Sequence, residues 1–256
     1  MPITAGMDAA LALVVFAPAL ALGSFLNVVA ARLPDGRSLV RPRSACGSCE
    51  AEIAWYDNIP VASYLVLRGR CRSCGASFSA RYPAVELATA VLVAACFWHF
   101  GLTGEAVVGA YFCAALVVLS AIDAERRILP DLIVLPSFAI VLTANMILAP
   151  DRWKEWLGAS LGASLFLFLA LVAYPRGMGM GDVKLALLLG AGLGWPVGVG
   201  LMIGMVTALV ASSALFARHG LAARKMAIPF GPFLAFGAIV ALFVGQELLD
   251  GYLSRF

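Results

Sequence analysis

The sequence predicts an all-α, polytopic membrane protein of about eight transmembrane helices, with a small cysteine-containing loop domain between the first and second helices. Apolar residues make up 62% of the 256 residues and charged residues only 13%, whereas soluble domains carry about 25% charged residues. The mean hydropathy is +0.94. Segments of about 20 apolar residues are long enough to cross a bilayer, and the candidates are residues 7–30, 83–99, 105–122, 130–148, 157–174, 182–194, 196–217 and 229–248.

The first segment has two interpretations. Small residues from Ala17 to Ala21 are typical of a signal-peptide cleavage site, but a basic region before the apolar run is missing. The apolar run also continues to Ala30, beyond the length of a signal peptide, which favours a transmembrane helix. Pro18 is compatible with a helix packed inside a membrane protein.

The loop at residues 31–82 is too small to hold much of a hydrophobic core and needs a cross-link or a metal. Two Cys-x-x-Cys pairs, separated by 21 residues, supply four thiols at Cys46, Cys49, Cys71 and Cys74. This spacing predicts a closed, structural zinc site with four thiolate ligands. Two disulfides or four free thiols are the alternatives. The residues around the two pairs are similar, as in a repeated knuckle.

Lysine and arginine residues indicate the orientation, since cytoplasmic loops near transmembrane segments carry an excess of them. If the chain crosses the membrane eight times, 15 of the 18 lysines and arginines lie on the same side as residues 31–82. The three exceptions are Arg152, Lys154 and Arg255. The sequence therefore predicts that residues 31–82 face the cytoplasm and that both termini face outward.

Two aspartates flank the connection between the third and fourth segments. Asp123 ends the third segment, and its alternative role is a charge at a helix end that pairs with Arg126 or Arg127. Asp131 follows Pro130 at the start of the fourth segment. We expect Asp131 to be a helix N-terminal residue that the helix dipole favours.

A glycine-dense loop precedes the sixth segment, which is the shortest of the eight. Residues Gly177 to Lys184 read Gly-Met-Gly-Met-Gly-Asp-Val-Lys and place Asp182 at the start of the segment. Gly179 and Gly181 allow close backbone approach and so help to fix where Asp182 points. Asp182 has the alternative roles of capping its helix or pairing with Lys184. In the seventh segment, close helix packing is expected at the small residues Gly198, Gly200, Gly204 and Ala208.

Asp123 and Asp182 are predicted at the cytoplasmic ends of their segments, where water has access. Two carboxylates that face each other can share a proton, one acting as a base on water and the other as an acid. This arrangement predicts an aspartic protease. An ion-coupled transporter also uses intramembrane carboxylates, although no internal symmetry of hydropathy supports one. A noncatalytic scaffold that docks through the cysteine loop is a third possibility.

The motifs together resemble those of the type IV prepilin peptidases, which process prepilins and the pseudopilins of type II secretion. The resemblance covers nearly the whole length. Its motifs are Gly23-Ser-Phe-Leu-Asn27 with Arg32-Leu-Pro, the cysteine pairs flanking Trp55-Tyr-Asp-Asn58, Arg81-Tyr-Pro-Ala-Val-Glu86, Asp123 before Leu129-Pro-Asp131, Gly179-Met-Gly-Asp182-Val-Lys184, and Pro229-Phe-Gly-Pro-Phe-Leu. One departure is Ala31, where many members have tyrosine.

The resemblance implies that Asp123 and Asp182 are the catalytic pair and that Gly179, Gly181, Lys184 and Glu86 support the site. It implies cleavage of a basic leader after glycine, on the cytoplasmic side of the bacterial inner membrane. It also implies methylation of the new N-terminus with S-adenosylmethionine, and zinc in the cysteine loop. Expected partners are a prepilin or pseudopilin and the lipid bilayer, with no nucleic acid. The expected domains are residues 1–30 (first transmembrane helix), 31–82 (cytoplasmic zinc-binding domain) and 83–256 (transmembrane peptidase domain).

Overall fold

The helices of the protein follow the apolar segments of the sequence. A computed structural model describes residues 9–175, 178–220 and 228–254, with side chains from residue 14 onward. Within these ranges the α-helices are α1 (Ala9–Arg32), α2 (Ala62–Val66), α3 (Arg81–Phe100), α4 (Gly104–Arg126), α5 (Asp131–Leu148), α6 (Trp153–Ala173), α7 (Met180–Leu193), α8 (Val197–His219) and α9 (Gly231–Leu253). Short 3-10 helices occupy Leu33–Asp35, Trp55–Asn58 and Pro150–Arg152. Positions used in the predictions that lie outside the described residues are Met7, Arg176, Gly177, Arg224, Lys225 and Arg255.

Seven of the described helices are long and apolar enough to cross a membrane, and they correspond to seven of the eight predicted segments. The protein is therefore an all-α, multi-pass membrane protein, as predicted. The sixth segment forms α7, which has 14 residues. A helix of this length extends about 21 Å, whereas the hydrocarbon core of a bilayer is roughly 30 Å thick.

Helix α7 can be shorter than the bilayer core because neighbouring helices enclose it. Most of its side chains are buried, and Ala186, Leu188 and Leu189 have no exposed surface. On one side Gly190 lies against the backbone of Ser160 in α6 so closely that a methyl group would collide with it. On another side the amide nitrogen of Asn145 in α5 donates to the carbonyl oxygen of Ala191 at 2.7 Å. Polar groups of α7 are thus surrounded by protein rather than lipid, which a short helix in a membrane protein requires.

The chain divides into two compact units, with the boundary between Ala106 and Val107. In the first unit α1 packs along α3. Gly23 makes this possible, because a Cβ atom there would lie 2.6 Å from the Cα atom of Glu86. The amide nitrogen of Asn27 in α1 donates to the carbonyl oxygen of Tyr82 in α3 at 3.0 Å. The loop between these helices carries the four cysteines.

The second unit contains the main hydrophobic core, which is built around α7. Within this unit α8 and α9 are in close contact. A Cβ atom at Gly204 would lie 2.9 Å from the carbonyl oxygen of Phe233, and the backbone of Gly200 lies against Gly237. The prediction of close helix packing is confirmed at Gly200 and Gly204. It is wrong at Gly198, where a Cβ atom would meet nothing within 4 Å.

Candidate active site and metal centre

The four loop cysteines form one cluster. The sulfur atoms of Cys46, Cys49, Cys71 and Cys74 all lie within 4.8 Å of one another, and these residues form no disulfide. The sulfurs of Cys46 and Cys74 are 3.8 Å apart. Tetrahedral zinc with Zn–S bonds of about 2.3 Å places its sulfurs about 3.8 Å apart. The cluster therefore has the ligand number and the spacing for a Cys₄ zinc site.

Two knuckles with the same backbone pattern build this cluster. The amide of Cys46 donates to the carbonyl of Ala51 at 3.0 Å, and the amide of Cys71 donates to Ala76 at 2.8 Å. The residue after each pair has positive φ, at Glu50 (57°) and at Gly75 (72°). The repeated knuckle predicted from the sequence is thus present in the backbone, where each turn aims two sulfurs at the same point.

The knuckles favour the thiolate form at the first cysteine of each pair. The backbone amides of Ser48 and Cys49 donate to Cys46 and lower the pKa of its thiol to about 6. In the second knuckle the amides of Cys74 and Ser73 lower the pKa of Cys71. Amide donors at the sulfur stabilise the charged form, which is the form that binds a metal. At Cys74 the amide of Ala76 lowers the pKa, but the neighbouring thiol of Cys49, burial, and the thiols of Cys71 and Cys46 raise it to about 12.

Polar contacts also fix the rest of the loop, and two of them involve charged side chains. Arg72, which lies between the second pair of cysteines, forms an ion pair with Asp57 at 2.6 Å. The carboxylate of Glu86 in α3 accepts a hydrogen bond from the backbone amide of Val61 at 2.8 Å. Val61 has a φ of 60°, a conformation that β-branched residues rarely adopt. The Glu86 contact therefore holds a strained turn of the loop against α3.

Asp123 lies in the last turn of α4 and is only 6% exposed. One of its carboxylate oxygens, Oδ2, accepts a hydrogen bond from the backbone amide of Gly231 at 2.9 Å. A Cβ atom at Gly231 would lie 2.8 Å from the same oxygen. The first residue of α9 thus has to be glycine for the carboxylate to lie where it does.

Asp182 lies in the first turn of α7 and is 8% exposed. Its Oδ2 atom accepts a hydrogen bond from the amide of Gly179 at 3.1 Å, so Asp182 caps its own helix. Gly181 packs on Leu129, with 3.1 Å between the two Cβ positions. Asp123 and Asp182 thus lie in the same compact unit, at the end of α4 and at the start of α7.

Lys184 does not pair with Asp182. Its ammonium group contacts both carboxylate oxygens of Asp131, at 2.6 and 2.8 Å. Asp131 is in the first turn of α5, as predicted. The ion pair joins the first turn of α5 to the second turn of α7, and no lysine among the described residues contacts Asp182.

Sequence reasoning missed two contacts at this site. Gly231 belongs to the motif Pro229-Phe-Gly-Pro-Phe-Leu, but no pattern in the sequence predicts that its amide donates to Asp123, 108 residues away. The partner of Lys184 was also missed. The sequence suggested Asp182, two residues away, whereas the observed partner is Asp131, 53 residues away. The one available signal for Gly231 was the Gly-Pro pair at the start of an apolar segment, which marks a helix beginning.

Comparison with known families gives two adjacent matches. Residues 18–100 match the bacterial peptidase A24 N-terminal domain, and residues 110–221 match the type IV leader peptidase family. The first match contains the cysteine cluster and Glu86. The second contains Asp123, Asp131, Asp182 and Lys184.

Curated relatives cover most of the chain. A protein of Pseudomonas aeruginosa named prepilin leader peptidase/N-methyltransferase is 38% identical over 92% of this chain and 91% of its own length. A protein of the same name from Myxococcus xanthus is 40% identical over 75% of this chain and 59% of its own length. One from Stutzerimonas stutzeri is 35% identical over 92% and 91%. No solved structure matches the chain. At these identities and over these lengths, the chain belongs to the type IV leader peptidase family.

Proposed function

We propose that the protein is a membrane aspartic endopeptidase that removes the basic leader of a prepilin or pseudopilin, with Asp123 and Asp182 as its catalytic residues. The observation that carries the proposal is the pair of buried carboxylates, 6% and 8% exposed, at the ends of two separate helices of one compact unit. Two buried like charges are unfavourable unless they share a proton. Capping of α7 accounts for Asp182 alone, whereas acid and base catalysis needs both carboxylates.

In the proposed reaction one carboxylate takes a proton from a water molecule, and the other, protonated, donates its proton to the carbonyl oxygen of the glycine before the cleavage point. The water oxygen bonds to the carbonyl carbon. The carbon–nitrogen bond then breaks, the nitrogen takes one proton from the pair, and the second proton returns from the former carbonyl oxygen. The products are a leader with a C-terminal carboxylate and a mature chain with a free amino group.

The amide of Gly231 has a catalytic consequence in this scheme, because it fixes the position of Asp123. In Gly231→Ala the added methyl group forces the carboxylate to move. We expect kcat to fall on the order of 10²-fold with a smaller change in KM, as for misplacement of a catalytic group by about 1 Å. Initial rates of leader cleavage over a range of prepilin concentrations measure this.

Gly198→Ala is the matched control, since a methyl group at Gly198 meets nothing within 4 Å. It should cleave at the rate of the wild type. A Gly231→Ala enzyme with wild-type kcat would show that the position of Asp123 does not matter for catalysis.

The Lys184–Asp131 ion pair is expected to contribute little to stability. The side chains are 33% and 54% exposed, and exposed ion pairs contribute about 0–1 kcal/mol. In thermal unfolding, Lys184→Gln and Asp131→Asn should each destabilise by less than about 1 kcal/mol, and the double variant by less than the sum. Strictly additive effects would indicate that the two charges act independently.

Several features support an orientation with the site at the cytoplasmic face of the bacterial inner membrane. Asp123 and Asp182 end and begin their helices on the side to which the distribution of lysine and arginine assigns the cytoplasm. In this proposal residues 1–30 form the first transmembrane helix, residues 31–82 a cytoplasmic zinc-binding domain, and residues 83–256 the transmembrane peptidase domain. Gly179, Gly181, Lys184 and Glu86 act as supporting residues.

We further propose that the enzyme methylates the amino group that cleavage exposes, which the names of its relatives support. S-adenosylmethionine would supply an electrophilic methyl group. The amine would receive this methyl group, the donor would leave as a neutral thioether, and one proton would pass to solvent. Residues of the first unit that would hold the donor line a cavity of about 770 Å³ and include Asn27 and Glu86.

One experiment separates this proposal from a transporter or a scaffold. The purified protein in lipid vesicles is incubated with a prepilin, with and without S-adenosylmethionine, and the products are weighed by mass spectrometry. The expected products are a leader that ends in glycine and a mature chain, which becomes one methyl group heavier when the donor is present. An intact prepilin under all conditions would exclude the peptidase.

A further inference from the structure

Four large apolar side chains of the loop between α1 and α3 are exposed. Trp55 and Tyr56 belong to the 3-10 helix Trp55–Asn58, and Leu65 and Val66 belong to α2. Each of the four is more than half exposed. Single apolar residues on a surface are ordinary, whereas a group of them marks a contact with a protein or a membrane. We call these four side chains the apolar surface of the loop.

One serine holds the two parts of the apolar surface together. The hydroxyl group of Ser63 in α2 donates to the carbonyl oxygen of Tyr56 at 3.0 Å. The same hydroxyl accepts a hydrogen bond from the amide of Ile59 at 3.0 Å. The rings of Trp55 and Tyr56 meet edge to face, with 5.7 Å between their centroids. The apolar surface is therefore one connected feature of the loop.

Helix α2 turns the apolar surface away from the interior of the loop. Ser63, Tyr64 and Leu67 line the cavity of the first unit, whereas Leu65 and Val66 do not. With about 3.6 residues per turn, the first three residues share one side of the helix and the other two lie on the opposite side. The cavity and its ligand therefore do not explain why Leu65 and Val66 are apolar.

A hydrogen bond to α3 places this part of the loop at the bilayer. The carboxylate of Glu86 accepts from the amide of Val61, the residue before α2. Helix α3 has 20 residues and extends about 30 Å, which is roughly the thickness of the hydrocarbon core. Glu86 lies in the second turn of this helix, so Val61 is at the level of the membrane and not in the water beyond it. The segments on either side of Val61 therefore start at the membrane interface.

Arginine residues lie beside the apolar surface. Arg68 follows α2, is exposed, and has no acidic partner among the described residues. The guanidinium group of Arg72 lies over the ring of Tyr56, 5.7 Å from its centroid. Aromatic residues with arginines are typical of the interface between lipid and water. The negative surface of a bilayer that contains anionic lipids attracts such arginines.

A prepilin is the other macromolecule that the enzyme would meet, and its basic leader suits this surface less well. The charge of Arg68 repels a basic peptide. Asp57, the acidic residue next to Tyr56, is already bound by Arg72. Charge complementarity therefore favours the lipid bilayer over the leader.

We propose that the loop lies on the lipid bilayer through its apolar surface, with the four side chains at the boundary between headgroups and acyl chains and Arg68 at the lipid phosphates. Interfacial segments of this kind bury their apolar face about 5–10 Å deep in that boundary. The contact would hold the cysteine cluster close to the membrane surface. It involves the first unit only and does not depend on the proposed peptidase or methyl transfer.

The test measures the depth of the loop in the full-length enzyme, in vesicles of phosphatidylethanolamine and phosphatidylglycerol. Some of the lipids carry a nitroxide quencher on the acyl chain near the headgroup. A fluorescent amino acid is encoded at position 66 and, in a separate protein, at position 50, where Glu50 is an exposed residue of the first knuckle. Quenching at position 66 should be at least about threefold stronger, because only this position lies at the depth of the quencher.

Added prepilin should leave the quenching at position 66 unchanged. Equal quenching at the two positions would overturn the proposal. Loss of quenching at position 66 when prepilin is added would overturn it in favour of a peptide-binding surface.

A pair of valine substitutions tests the contact without a label. Val66→Asp should speed trypsin cleavage after Arg68 about tenfold in nanodiscs of the same lipids, because a carboxylate is unfavourable at an apolar boundary and releases α2. Val40→Asp is the matched control, since Val40 is in the same loop and is 81% exposed against 77% for Val66. Its cleavage after Arg68 should stay within about twofold of the wild type. An unchanged rate in Val66→Asp would contradict the proposal, because an aspartate on a surface that faces water has little effect.

Discussion

Replacing Asp123 or Asp182 by asparagine is expected to abolish leader cleavage, with kcat lowered by at least about 10³-fold, within the range found for loss of a general acid or base. Asparagine has nearly the same shape as aspartate, and its oxygen still accepts the amide hydrogen bond of Gly231 or Gly179. It cannot take a proton from water or share one with the remaining aspartate. The fall in kcat therefore reports chemistry rather than folding. Initial rates with a purified prepilin in lipid vesicles measure it.

Asp250→Asn provides the control for a carboxylate near a helix end that has no catalytic role. Asp250 is exposed in the last turns of α9 and accepts a hydrogen bond from Gln246. This variant should cleave at the wild-type rate. Full activity in either Asp123→Asn or Asp182→Asn would remove the proposed pair of catalytic carboxylates.

The second large effect is expected at the cysteine cluster. Replacing Cys46, Cys49, Cys71 and Cys74 together by serine should reduce bound zinc from about one ion per chain to background, because neutral hydroxyl groups do not replace thiolate ligands. Residues 31–82 should then lose their fixed structure, since the loop has little hydrophobic core of its own. Elemental analysis measures the metal, and limited proteolysis within residues 31–82 measures the loop.

The remaining cysteines supply a matched control. Cys96 and Cys113 are buried within α3 and α4 and are not part of the four-sulfur cluster. The variant with serine at both positions should keep its zinc. Equal metal content in the quadruple variant and the wild type would show that the cluster is not the metal site.

Much of the architecture could be predicted because a bilayer imposes simple rules on a sequence. Runs of apolar residues identified seven spanning helices, and four cysteines at zinc-ligand spacing identified the cluster. The length of α7 was also close to that of the predicted segment at residues 182–194, but the burial of this helix could not be predicted in the same way. A short apolar helix need not span the bilayer when other helices enclose it, as α5 and α6 do here. Those contacts depend on tertiary packing and not on the local sequence.

The candidate site shows the same division. Asp123 and Asp182 could be identified as candidates because an ionisable residue at the end of a membrane segment suggests a functional role. Gly231 and the partner of Lys184 could not, because they depend on contacts between residues far apart in sequence.

The central claim is that Asp123 and Asp182 act on the same peptide bond. The most direct measurement is an experimental structure of the Asp123→Asn variant with an uncleaved prepilin bound. The account predicts that the carbonyl group of the last leader glycine lies between Asp182 and residue 123, within hydrogen-bonding reach of both side chains, directly or through one water molecule. A cleavage point held next to any other pair of residues, with Asp182 out of reach, would contradict it.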